Sequence, residues 1–267
     1  MPSARESTDF FRRQSWRLLN TGPEPGPTNM AIDEALLHRA SRSGEAVLRV
    51  YSWCTPTLSI GRHQRATGAY DADHARALGI SLVRRITGGR SLLHWREVTY
   101  SVTAPIGTEN LAQSYGAINE VLVAALQSLD VPVTIAERSG RQPGPASAPC
   151  FEFPAAGEIL FDGKKLVGSA QFRNEAALLQ HGSILLADDQ PLVTEIATEP
   201  VGDVAAAATL TDALGATPAL GDVAAALRDA LAFRTGSAPL PLDPNEIADD
   251  VARLREHYAS DAWTWQR

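Results

Sequence analysis

Asp162-Gly163 stands between two runs that alternate apolar and polar residues, Glu158 to Phe161 and Lys164 to Phe172. A tight type I′ turn needs positive φ at both central residues, and Asp-Gly tolerates that, so the stretch predicts a two-stranded hairpin. A further run, Ala177 to Leu186, reads as a third strand beside it. Any fold for this chain has to be built around that antiparallel unit.

Strand patterns also occur at Trp16 to Asn20, before a Gly/Pro turn, and at Val47 to Trp53, Pro56 to Gly61, Ile80 to Val83, Val98 to Thr103 and Val131 to Ile135. Asn29 is placed to cap a helix that carries Ile32, Leu36 and Leu37 on one stripe. Asp71 to Leu78 predicts a helix stopped by Gly79, and Tyr115 to Leu129 another. Alanine-rich helical segments follow at Asp203 to Leu214, Asp222 to Phe233 and Asn245 to Tyr258. Strands and helices are mixed without regular βαβ alternation. The expected class is therefore α+β, a mixed sheet with helices against one face. Residues 1–14 read as a flexible tail and 15–267 as a single domain, with a helical C-terminal part from about residue 200.

With 267 residues, 44% of them hydrophobic, the chain can bury a sizeable core. A net charge of -7 argues against nucleic-acid binding by bulk electrostatics. Cys54 and Cys150 are too few for a disulfide scaffold. No stretch approaches the ~20 apolar residues of a membrane span, and no signal peptide is visible, so the expected location is the cytoplasm.

Two residues stand out as chemistry. Cys150 lies where the Gly/Pro/Ser loop Glu137 to Pro149 meets the next strand. A thiolate is a strong nucleophile and a nearby cation favours it, with Lys165 across the hairpin as the candidate, although position alone favours a buried, inert thiol. Cys54, inside an apolar strand, reads as core filler. Of the 24 basic residues only Lys164 and Lys165 are lysines. Arginine would serve for a plain solvated charge, whereas a compact ammonium suits a pocket or a single oxygen. The two lysines point to opposite faces of their strand, so at most one can face a site. Gly88-Gly89 offers backbone N–H groups without side-chain bulk, suited to close approach of a carbonyl, phosphate or acyl chain, but fits neither a P-loop nor a dinucleotide fingerprint. His94 and His181 can be polar site members or satisfied structural residues. No spacing suggests a metal site, and no cofactor is expected.

Taken in order, Arg84 to His94 (RRITGGRSLLH), Glu97 to Ser101 (EVTYS), Cys150-Phe151-Glu152, Gly163 to Gln171 (GKKLVGSAQ) and Gln180 to Leu185 (QHGSIL) resemble the biotin/lipoyl protein ligase superfamily. Within it the chain is most similar to the cysteine-dependent octanoyltransferases. Tyr51, Trp53, Pro56 and Gly61 to Gln64 fit as well, so the resemblance runs from about Trp16 to Leu186. It implies the catalytic-domain fold of that superfamily, related to class II synthetases. It also implies transfer of an octanoyl group from octanoyl-acyl carrier protein to a lysine of a lipoyl domain, such as glycine cleavage H protein or an E2 subunit. Cys150 would then hold the acyl group as a thioester, assisted by Lys165, without ATP. The substrate would lie against Arg85, Thr87, Gly88, Gly89, Arg90, His94, Gly168, Ser169, Ala170, His181 and Gly182.

Trp95 departs from the acidic residue expected after His94. ATP-dependent lipoate ligases share this core but usually read Gly-Gly-Gly where this chain has Gly88-Gly89-Arg90. Octanoyl amidotransferases between lipoyl domains use a cysteine in a different context. A binding protein that keeps the fold without turnover is the remaining reading. Arg84, Arg85, Arg90, Arg138 and Arg141 are expected to form a local positive mouth for an acidic carrier protein.

Overall fold

A computed structural model describes residues 10–136, 157–199 and 206–266 of the chain. In chain order the strands are β1 (Ser15–Glu24), β2 (Glu45–Trp53), β3 (Thr57–Ile60), β4 (Ser81–Arg84), β5 (Leu92–His94), β6 (Glu97–Pro105), β7 (Thr134–Ile135), β8 (Ile159–Phe161), β9 (Lys164–Arg173), β10 (Ala177–Leu185) and β11 (Leu240–Pro241). The helices are α1 (Gly26–Ser43), α2 (Ala72–Ala77), α3 (Leu111–Ser128), α4 (Leu192–Ile196), α5 (Leu210–Leu214), α6 (Leu220–Thr235), α7 (Ala248–Tyr258) and α8 (Asp261–Thr264). An 8-stranded mixed sheet runs in the order β11-β1-β2-β6-β10-β9-β8-β7, and a 3-stranded sheet in the order β4-β3-β5.

The α+β class is the observed one, but helices cover both faces of the large sheet rather than one. Ala46, Leu48 and Val50 of β2 share a core with α3 and α6, while Val47 and Tyr51 of the same strand pack with α1 and α7. β2 is apolar at both parities, and such a strand must be covered on both sides. β6 differs. Val98, Tyr100, Val102 and Ala104 enter the α3/α6 core. By the period of two, Thr99, Ser101 and Thr103 face the other way, toward α1. That hydroxyl-bearing face, buried throughout, is where the polar groups of the candidate site collect.

The hairpin forms as its sequence dictates, with Asp162 at φ 48 and Gly163 at φ 72, both positive as a type I′ turn requires. Asp71 caps α2 through the N–H groups of Asp73 and His74, and Gly79 follows that helix at φ 72. Other expectations shift. Asn29 is not the cap of α1, because Pro27 in its first turn starts the helix at Gly26. The buried Asn29 amide donates instead to the carbonyl oxygens of Glu24 and Ser52, at 3.2 and 3.0 Å. The tail expected at residues 1–14 is packed from residue 10 onward. Phe10 and Phe11 are buried and their rings lie 6.3 and 5.6 Å from that of Trp16.

Val131 to Ile135 contributes only β7. Of the helix expected at Asp203 to Leu214, the described part is helical only at Leu210–Leu214, because Ala208 is drawn out as a partner for the Lys165 carbonyl at 2.9 Å. Cys54 is not core filler. It follows the end of β2 and is exposed.

Candidate active site

A pocket lies between the two sheets. Met30 of α1 and Tyr51 and Trp53 of β2 form one side; Gly168, Ser169 and Ala170 of β9 with His181, Gly182 and Ser183 of β10 form another; Ser59, Arg85, Gly89, Leu92 and His94 close it from the small sheet. The register sets this up. Gly168 pairs with Ser183, Ser169 with Gly182 and Ala170 with His181, so one end of the hairpin presents little side-chain bulk. Gly182 cannot carry more. A Cβ there would sit 2.6 Å from the Gly168 carbonyl oxygen and 2.8 Å from Tyr100 Cε1.

Asp33 organises the wall toward α1. Its Oδ1 accepts from Arg49 Nη1 and Ser101 Oγ, each at 2.8 Å, and its Oδ2 from Tyr51 Oη and His181 Nδ1, each at 3.0 Å. Arg49 is wholly buried, its guanidinium 3.7 Å from the Tyr51 ring centroid. Burial alone would push the Asp33 carboxyl up, but Arg49 and His181 outweigh it and hold the group below the ordinary carboxylate value. Burial pushes His181 down against the pull of Asp33, with Arg85 and His94 adding in the same direction as burial. A neutral His181 with its proton on Nδ1 donates to Asp33. Its Nε2 then accepts from Thr87 Oγ1 at 2.7 Å.

Glu97 does the same for His94. Its Oε1 lies 2.7 Å from His94 Nδ1 and accepts from Thr99 Oγ1 at 2.5 Å and Ser183 Oγ at 2.8 Å. Arg85 Nη1 donates to Ser59 Oγ at 2.9 Å, and Ser59 Oγ lies 2.8 Å from His94 Nε2. The His94 ring stacks on Trp53 at 4.1 Å between centroids, and Trp53 Nε1 donates to Thr99 Oγ1 at 2.8 Å. Each polar edge is thus turned into the wall, and the ring faces are left for an apolar ligand. Among the described residues no group of three or more His, Cys, Asp or Glu side chains is arranged to hold a metal ion.

Lys165 lies on β9 three residues before Gly168, roughly 10 Å along the strand. Its side chain is buried and its Nζ donates to Glu158 Oε1 at 2.5 Å, while Lys164 is exposed on the other face.

The match to the model of the lipoyl protein ligase A/B catalytic domain spans residues 25–232 and so contains both walls of the pocket. The chain belongs to that family. A protein named Octanoyltransferase LipM from Kyrpidia tusciae is 39% identical over 277 residues, covering 95% of this chain and 100% of that protein. Another of that name, from Moorella thermoacetica, is 43% identical over 198 residues, covering 70% of this chain and 72% of the other. Among solved structures, a lipoate-protein ligase A bound with ATP matches with TM-score 0.77 at 22% identity, covering 94% of this chain and 99% of that one. A bipartite lipoate protein ligase from Thermoplasma acidophilum matches with TM-score 0.75 at 20% identity, covering 94% and 96%. Those two likenesses show the shared fold.

Within this lipoyl protein ligase A/B domain, Arg85, Gly89, His94, Gly168, Ser169, Ala170, His181 and Gly182 all line the one pocket. Thr87, Gly88 and Arg90 stand behind it: Thr87 holds His181, and the carbonyl oxygens of Gly88 and Arg90 accept from Arg85 Nη2 at 2.9 and 2.6 Å. Cys150, Arg138 and Arg141 lie outside the described residues. Arg84 and Arg85 do not form a positive mouth. Both are buried, and the Arg84 Nη1 donates to the carbonyl oxygens of Gly61 and Gln64, which ties the end of β4 to the loop after β3.

Asp33, Arg49, Ser59 and Glu158 were not singled out from the sequence. Asp33 left a signal, a carboxylate between Met30 and Leu37 at i+3 and i+7 spacing on the buried stripe of α1. Among the described residues no helix is long and apolar enough to cross a membrane.

Proposed function

We propose that this chain is an octanoyltransferase of lipoate biosynthesis, which takes an octanoyl group from octanoyl-acyl carrier protein and delivers it to a lysine of a lipoyl domain such as that of glycine cleavage H protein. The observation that carries the reading is similarity along 95% of the chain to a protein named an octanoyltransferase, together with an apolar pocket whose polar edges all face outward.

In the first step the Cys150 thiolate attacks the donor thioester carbonyl. A new C–S bond forms, the donor C–S bond breaks, and the carrier thiolate leaves and takes up a proton. In the second step the acceptor lysine amine attacks the Cys150 thioester, the amide forms, the amine gives up its proton and the Cys150 thiolate is released. Exchange between thioesters is close to balanced and aminolysis of a thioester to an amide runs downhill, so neither step needs ATP. Lys165 supplies positive charge toward the thiolate and the oxyanion. The acyl chain lies along β9 against Gly168, Ser169 and Ala170, between the Trp53–His94 stack and the glycines.

Intact-protein mass spectrometry after mixing with octanoyl carrier protein, without ATP, tests the reading. The expected product is a hydroxylamine-sensitive octanoyl adduct that Cys150→Ala lacks. An adduct that persists in Cys150→Ala, or acylation that requires free octanoate and ATP, would overturn it in favour of a ligase.

A further inference from the structure

Glu158 lies immediately before β8, and its carboxylate meets Lys165 with both side chains almost wholly removed from solvent. A buried ion pair of this kind is seldom a source of stability, since desolvation offsets most of the attraction. The pair sits at a break in the ladder: Leu160 pairs with Lys165 but Ile159 with Val167, so one strand carries an extra residue. Such an irregularity re-aims side chains next to functional sites.

The main chain just before Glu158 is also held from the helix side. Asn119 of α3 donates to the Gly157 carbonyl oxygen at 2.6 Å, one residue before Glu158. Tyr115, one turn earlier on α3, has a phenol pushed up by burial and then by the Glu158 charge, with Asn119, Lys165 and Ser169 opposing. Ser169 lines the pocket. Asn119 Oδ1 accepts from Gln180 Nε2 at 3.0 Å, Gln180 Nε2 also donates to Tyr100 Oη at 2.8 Å, and that hydroxyl lies 2.8 Å from Ser169 Oγ, so a polar track joins the segment that carries Glu158 to the pocket wall.

We propose that Glu158 is a positioning residue that acts through Lys165, fixing where its ammonium stands on β9, the strand that supplies the pocket wall from three residues later. The proposal rests on the reading of Lys165 as the cation of the reaction, and the test separates the two. Single-turnover acylation by octanoyl carrier protein is measured for Glu158→Gln, Glu158→Asp, Lys165→Met and the Glu158→Gln/Lys165→Met pair, with thermal unfolding of each.

Glu158→Gln is expected to lower the maximal rate at least about tenfold with KM changed less than about twofold, and Glu158→Asp to recover part of the rate because the charge is kept. In the Lys165→Met background Glu158→Gln should then cause no further loss, which is the signature of one residue acting through another. Full rate in Glu158→Gln while Lys165→Met is inactive would overturn the proposal alone, and so would independent losses that multiply in the pair. Full rate in Lys165→Met would overturn the reading of the lysine as well. Should Glu158→Gln fail to fold, Glu158→Asp carries the test, and a folded Asp variant no faster than Lys165→Met would count against the proposal.

Discussion

Asp33 accepts four hydrogen bonds inside a wall whose exposed surface is apolar. Replacing it with asparagine strands the buried Arg49 guanidinium, and chemical denaturation should show a loss of about 3–5 kcal/mol. pH acts on the same pair of groups. Asp33 and His181 both titrate below their ordinary values in the folded chain. Each therefore contributes stability that is present above its unfolded value and lost as pH falls through the folded one. The denaturation midpoint should decline from about pH 6.5 downward as His181 resists charging, then further below about pH 4 through Asp33. His181→Gln should flatten the upper part of that decline. At this scale the sequence was uneven. Lys165 was legible because lysine is so scarce in the chain, and its burial opposite an exposed Lys164 fits strand alternation. Glu158 was not, because a single carboxylate before a hairpin looks like any solvated charge until the lysine is seen beside it.

The hairpin of β8 and β9 and the strand β10 were legible as elements, since the turn chemistry of Asp162-Gly163 and the alternation around it admit little else. The faces were harder. β6 announces two different faces by alternating apolar and hydroxyl residues, yet the pattern does not say that the hydroxyl face is also buried. Only pairing with β2 and β10, beneath α1, decides that. Helix starts failed where proline and asparagine competed, as at Pro27 and Asn29, because fixed φ outweighed a side-chain cap. The close contact of β9 with β10 can be probed directly. Gly182→Ala forces a methyl against backbone and ring and should destabilise the fold by about 1–3 kcal/mol while raising KM for the acyl donor, read by thermal unfolding and steady-state kinetics.

At the scale of the whole molecule, two apolar cores on opposite faces of one sheet leave the pocket on the seam with a second, smaller sheet. The N-terminal segment belongs to this plan. Phe11 stacks on Trp16 with the planes 30° apart, and Phe11→Ala should destabilise the chain by about 3–5 kcal/mol in denaturation. Arg84 is equally integral: its Nε donates to the Thr264 carbonyl oxygen at 3.1 Å, which ties α8 to the end of β4 in the small sheet. The two walls of that cavity are unequal in what they leave open to change. Gly168, Gly182 and Gly89 offer main chain alone, and at Gly182 no larger residue fits. Variation among descendants of this chain, or selection in the laboratory, cannot add bulk to the cavity at Gly182. A change of preference toward longer or shorter acyl groups therefore has to come through the side chains that line it, such as Met30, Leu92 and Ala170, and each acts from a different element or loop of the fold.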